Sequence, residues 1–107
     1  MSLCPKVEKA MQLLGKRWTG LVVKQLLDGP QRFSEIKAGF PISGKLLTER
    51  LKELEDEGIV TRKVYAEVPV RVEYRLTEKG RALQAVIGEI EHWAHDWMEI
   101  KEQAQLN

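Results

Sequence analysis

The chain has 107 residues, 43% hydrophobic and 31% charged, with a single cysteine and a formal net charge of +1. That length suits one domain over residues 1–107 around one core, and the ordinary apolar fraction argues against disorder. No apolar run approaches the ~18–20 residues that span a bilayer, no secretory leader is visible, and one cysteine cannot close an internal disulfide, so the expected compartment is the cytoplasm. The sequence also lacks a Gly-rich phosphate loop, cysteine pairs at zinc spacing and a nucleophile elbow, so an enzyme and a bound cofactor are not expected. The charge is unevenly spread. Residues 1–52 carry ten Lys and Arg against four Asp and Glu, and residues 53–107 carry seven against twelve. This pattern reads either as a basic face for a polyanion with an acidic remainder kept away from it, or as ordinary solvated faces.

In chain order, Val7, Ala10, Met11 and Leu14 recur on one helical face after Pro5, with Gly15 as the stop. A second helix from Trp18-Thr19 to Leu27 is almost continuously apolar through Leu21, Val22 and Val23, which predicts the central buried helix; residues 5–30 thus form the N-terminal part. A short helix over 32–38 and a longer one opening at Ser43 form a helix-turn-helix over 32–57. Ser43 is a fitting N-cap and Gly58 a fitting left-handed stop. Leu47, Leu51 and Leu54 share the inward face of the longer helix, and Lys45, Thr48, Glu49 and Lys52 point outward.

The period then changes. Val70, Val72, Tyr74 and Leu76 alternate with charged residues, pairing with Ile59 to Ala66 in a hairpin over 59–76. Thr77 caps a last helix expected to run over 77–104, where Leu83, Val86, Ile90, Trp93, Trp97, Ile100 and Ala104 step by three and four. The fold class is mainly α with a small β-hairpin, in the order α-α-α-α-β-β-α: a winged helix-turn-helix.

That order is built for double-stranded DNA, whose major groove admits one helix, read from its N-terminal turns. Ser43, Gly44 and Lys45 occupy that end. Lys45 can reach a guanine edge or a phosphate, Thr48 a base or a phosphate, and Lys52 completes the outward row. Glu49 is either an acceptor for a cytosine amino group or a solvated helix residue, and Arg50 is either a phosphate contact or a structural pair. Glu53, Glu55, Asp56 and Glu57 confine the DNA-facing part to the first two turns. In the hairpin, Lys63 and Arg71 are wing candidates for the sugar-phosphate backbone or minor groove, or else strand positions that discourage edge pairing. The C-terminal stripe of Leu83, Val86, Ile90, Trp93, Trp97 and Ile100 exceeds what one small domain can cover, which predicts a homodimer and a palindromic site.

Cys4-Pro5, Gly15-Lys16-Arg17-Trp18-Thr19, Gly29-Pro30-Gln31-Arg32-Phe33-Ser34-Glu35-Ile36, Ile42-Ser43-Gly44-Lys45, the run from Leu47 to Glu55, and Val72-Glu73-Tyr74-Arg75-Leu76-Thr77 resemble the HxlR family of bacterial transcriptional regulators, relatives of the MarR group. The resemblance implies a winged-helix homodimer on operator DNA, with the first and last helices at the dimer interface; the regulator reads as a repressor. Two departures stand out: Leu14-Gly15-Lys16-Arg17-Trp18 replaces a Gly-Gly-Lys-Trp element, and Pro69-Val70 stands where Pro-Pro is common.

Cys4, at a helix start near Lys6 and Lys9, is either an activated thiol or an inert N-terminal residue. The resemblance implies the former, since some members sense oxidants or electrophiles through the matching cysteine. A thiol-reactive small molecule is then a partner, and any disulfide would be intermolecular or with a small thiol. His92 and His95 fall short of a metal site, which needs three or four converging ligands. Two rival readings are a winged-helix module that binds another protein without DNA readout, and a small thiol enzyme built on Cys4.

Overall fold

A computed structural model describes residues 3–100 of the chain. Its elements are α1 (Pro5–Leu14), α2 (Thr19–Leu26), α3 (Phe33–Lys37), α4 (Gly44–Asp56), β1 (Val60–Tyr65), β2 (Arg71–Leu76), α5 (Glu78–Arg81) and α6 (Leu83–Trp97). No helix among the described residues is long and apolar enough to cross a membrane.

The core is a single cluster. Val22, Val23 and Leu26 from α2 meet Ile36, Ile42, Leu47, Leu51 and Leu54, closed off by Ile59, Val60, Leu76 and Ile87. Burying each such side chain stabilises the fold by about 1.5–3 kcal/mol, and together these contacts fix how α4 sits on α2 and α3. Leu21 departs from the expected burial of α2, because it lies on the far side of the helix and is exposed.

The strands pair antiparallel with Val60 opposite Leu76 and Tyr65 opposite Arg71. Gln31, in the loop before α3, adds a bridge to the free edge of β2: its N–H donates to the Tyr74 carbonyl at 3.0 Å and its carbonyl accepts from the Tyr74 N–H at 2.8 Å. This ties the base of the hairpin to the helix-turn-helix. Gly80 packs so closely that a Cβ there would lie 2.3 Å from the Ile59 carbonyl oxygen.

One expectation is corrected. The helix predicted over 77–104 is interrupted at Ala82 and ends at Trp97, where Met98 turns extended (ψ 138°), so Ile100 is off the helix. Ile100, the next member of the stripe, is exposed, and a helix without packing is marginal; residues 101–104 lie outside the described residues. Gly15 ends α1 as the sequence predicts, in a right-handed conformation, and a left-handed turn follows at Trp18 (φ 79°). The Trp18 ring stacks on Phe40, with centroids 5.4 Å apart, under the Arg17 guanidinium. The apolar face of α1 turns away from the core: Val7 and Met11 are exposed, and α1 meets the cluster through Leu13.

The radius of gyration is 15.9 Å, with extents of 48 × 47 × 23 Å, against about 13 Å for a compact chain of this length. The molecule is flat, and no residue of α1 and only Ile87 of α6 is buried.

Candidate nucleic-acid interface

The first turn of α4 forms because Ser43, in an extended conformation, accepts from the Leu46 N–H at 3.1 Å, satisfying a donor the helix leaves open. Ile42, just before the cap, is buried and fixes the entry. With Leu47, Leu51 and Leu54 buried, the helical repeat turns Lys45, Thr48, Glu49 and Lys52 into solvent beside exposed Ser43, as the sequence predicts. The Thr48 hydroxyl donates to the Gly44 carbonyl at 2.9 Å, which leaves its lone pairs to accept from an outside donor. A side chain at Gly44 would meet only the Lys37 stem at 3.8 Å, so Lys37 lies against the start of α4. Its place beside this end is a consequence of the turn between α3 and α4, which spacing along the chain does not reveal.

Arg50 is a structural residue. Its Nε donates to the Arg17 carbonyl at 2.9 Å and an Nη to Glu53 at 3.1 Å, and little of the side chain reaches solvent. Of its two readings the pair is the observed one, because position 50 lies on the flank of α4 that meets the α1–α2 turn. Glu53 also accepts from Lys16 at 2.8 Å, and that hydrogen bond is the main cause that holds its carboxyl below the usual range. Lys9 pairs with Glu57 at 3.4 Å and Lys24 with Glu91. Four cations of the basic first half are thus bound to acids of the second, so the two halves of the sequence are not two faces of the molecule. Arg17, Arg32, Lys37, Lys45 and Lys52 carry no ion pair among the described residues and supply the positive surface around α3 and α4.

In the hairpin, Lys63, Tyr65, Arg71, Glu73 and Arg75 share one face. Lys63 is exposed, its ammonium 4.9 Å from the Tyr65 ring centre. Arg71 is not the free wing cation expected. Glu67 holds it bidentately, with Nη2 at 2.8 Å and Nε at 3.3 Å, Glu73 takes its other Nη, and the guanidinium lies 3.8 Å over the Tyr65 ring. The Glu67 bond drives both titrations apart, lowering the carboxyl and raising the guanidinium. Arg62, which the sequence reading did not single out, is an exposed cation on the opposite face of the hairpin.

Val86, Ile90, Trp93, Trp97 and Ile100 are all exposed, together with Val7, Met11 and Leu21. Leu83 instead packs on the core of its own chain. A cleft of about 320 Å³ lined by Leu14, Trp18, Leu21, Ile87 and Ile90 opens between α2 and α6. Cys4 is exposed at the N-cap of α1 with no side-chain capping bond. His92 and His95 face solvent beside Asp96, at 3.3 and 3.5 Å, and no group of three metal-ligating side chains occurs among the described residues.

The model of the HxlR-like helix-turn-helix family matches residues 13–102. The HTH-type transcriptional regulator YvaP of Bacillus subtilis is 57% identical over 98 residues, covering 91% of each chain. The B. subtilis regulator YodB is 57% identical over 99 residues, 92% of this chain and 88% of that one. The structure of its reduced form superposes with a TM-score of 0.82 at 56% identity, covering 92% of this chain and 97% of that one, and YodB has also been solved diamide-treated and quinone-bound. The redox regulator HypR, in its oxidised form, has a TM-score of 0.82 at 38% identity over 91% of this chain and all of that one. A capped helix with a polar outer face, a hairpin tied to its base and a match across most of the chain converge: this protein belongs to the HxlR-like helix-turn-helix family and is a DNA-binding transcriptional regulator with a MarR-like winged-helix fold, not an enzyme.

Proposed function

We propose that the protein is a cytoplasmic, homodimeric repressor that sets two α4 helices about one DNA turn (~34 Å) apart on a pseudo-palindromic operator, and that oxidants or electrophiles release it through Cys4. The observation that carries the reading is the outward row of Ser43, Lys45, Thr48, Glu49 and Lys52 on a helix whose opposite side is wholly buried. Lys45 and Lys52 supply charge for phosphates or guanine edges, Thr48 and Glu49 accept from base amino groups, and Lys63 approaches the backbone from the wing. The apolar face of α1 and α6 supplies the two-fold contact. Exposure of Cys4 on α1 puts a thiol at the edge of that face, and the diamide-treated and quinone-bound forms of YodB, with the oxidised form of HypR, support a thiol-linked response.

Selection of bound duplexes from random DNA, with and without diamide, tests this reading. The expected result is an inverted repeat, bound with steep salt dependence, lost on oxidation and retained under oxidation by Cys4→Ser. Enrichment of no sequence refutes the operator, and a Cys4→Ser protein that still responds in full refutes the sensor.

A further inference from the structure

The hairpin holds its best-placed cation shut. Arg71 opens β2 beside the connection between the strands, where a wing meets the nucleic-acid backbone, and each nitrogen of its guanidinium donates to a carboxylate inside the wing. Glu67, from the connection, takes Nε and Nη2; Glu73, two residues along the strand, takes Nη1; and the Tyr65 ring covers one face. Glu73 is shared with Arg75 at 3.7 Å, whereas Glu67 pairs with Arg71 and brings its charge to the part of the wing that approaches phosphate.

From this arrangement we propose that Glu67 is an affinity-determining residue for DNA: it sequesters Arg71 in the free protein, and the wing gains a phosphate contact when that carboxylate is neutralised. The inference rests on the DNA-binding reading above and adds to it a residue that opposes binding. Glu67 is half exposed at the surface, so the pair exists in competition with solvent, and a phosphate is a suitable replacement ligand for the same bidentate donors. Glu73 is the more enclosed partner and keeps Arg71 oriented along the strand once Glu67 lets go. Held by Glu73 and stacked on Tyr65, the guanidinium would meet phosphate already ordered, with little side-chain entropy left to lose.

The test uses the full chain and a random-sequence duplex about 30 base pairs long, some three helical turns, titrated by fluorescence anisotropy between ~50 and ~200 mM salt. One added phosphate contact steepens the log–log salt slope by about 0.9. Over that range Glu67→Gln should therefore lose about three- to fourfold more affinity than the parent, while binding more tightly than the parent at the low-salt end. In the Arg71→Ala background Glu67→Gln should change nothing. Equal or weaker binding by Glu67→Gln overturns the proposal, since the carboxylate would then be an orienting partner. A gain that survives in the Arg71→Ala background also overturns it, because simple removal of a negative charge would suffice. Salt-dependent binding by the parent keeps the DNA-binding reading intact in both cases, whereas a parent that binds no duplex overturns both. Circular dichroism confirms the fold of each variant, and Glu73→Gln, expected to leave Arg71 with Glu67 and give no gain, provides the second comparison.

Discussion

Replacing Trp93 by alanine should separate the protein into monomers at concentrations where the parent is paired. Trp93 is 59% exposed in the single chain and outside the core cluster. An aromatic side chain offers ~150–250 Å², so roughly 90–150 Å² of Trp93 awaits cover, and an isologous contact counts it twice. At about 25 cal/mol per Å² the two copies carry at most about 5–7 kcal/mol. Ordering costs and the area that alanine retains bring the expected truncation to the scale of an interface hot spot, about 2–4 kcal/mol per dimer. The dissociation constant should rise about 30- to 700-fold. Sedimentation equilibrium over a dilution series measures it, with far-ultraviolet circular dichroism at the same concentrations. A constant within about threefold of the parent's would refute the assignment of this face. Operator affinity should fall in parallel, since two half-sites bound separately lose the advantage of linkage.

Lys45→Ala should weaken every duplex alike and flatten the salt slope by about 1 if Lys45 meets phosphate, or relax one operator position by ~1–3 kcal/mol if it reads a base; titration against site variants at several salt concentrations distinguishes the two. Glu53→Gln should cost up to ~1 kcal/mol at neutral pH, the scale of a solvent-screened pair. Because the folded carboxyl lies below its ordinary 4.5, the stabilisation is present above that value and disappears as pH falls through the folded pKa, so urea melts of parent and variant should converge in acid. Gly80→Ala should cost about 1–3 kcal/mol in the same melts, since the added carbon meets the fixed Ile59 carbonyl.

What the sequence disclosed was whatever a short window determines. Ser43, Gly58 and the Leu47–Leu51–Leu54 spacing are local signals, and the cap, the left-handed stop (φ 72°) and the buried face all appear where the pattern puts them. The alternation from Val72 to Leu76 fixed the register face of the wing in the same way. Signals that depend on what lies across space misled or were silent. The heptad stripe after Trp97 reads as helix only if a partner surface exists to pack it. Leu21 and Leu83 are both apolar members of apolar runs, yet one faces out and the other in, because each helix turns only one side to the core and the run does not say which. Arg50 and Arg71 look alike in composition to Lys45 and Lys52, and only the position of Arg17's carbonyl and of Glu67 tells them apart.

The uneven charge of the sequence acquires a different meaning once the pairs are located. If the basic first half met DNA as a whole, the acids of α4 would be a liability tolerated at its far end. Instead Glu53 and Glu57 clamp α1 and its turn through Lys16, Arg50 and Lys9, and Glu91 of α6 clamps α2 through Lys24. The clamped elements are the two that bury almost nothing of their own, α1 and α6, and they also present the unpaired apolar face. Ion pairs at exposed positions contribute little stability individually, so their use here is directional: they orient α1 relative to α4 and α6 relative to α2 where hydrophobic burial does not. A covalent change at Cys4 would act on an arm held to α4, the helix proposed to read DNA, by such breakable contacts, and this would give an event at the start of α1 a physical route to Lys45 and Thr48. If that route operates, a Glu57→Gln protein, with the Lys9 clamp removed, should keep its operator affinity when reduced but respond more weakly to diamide. An undiminished response would mean that the signal passes through the dimer face alone.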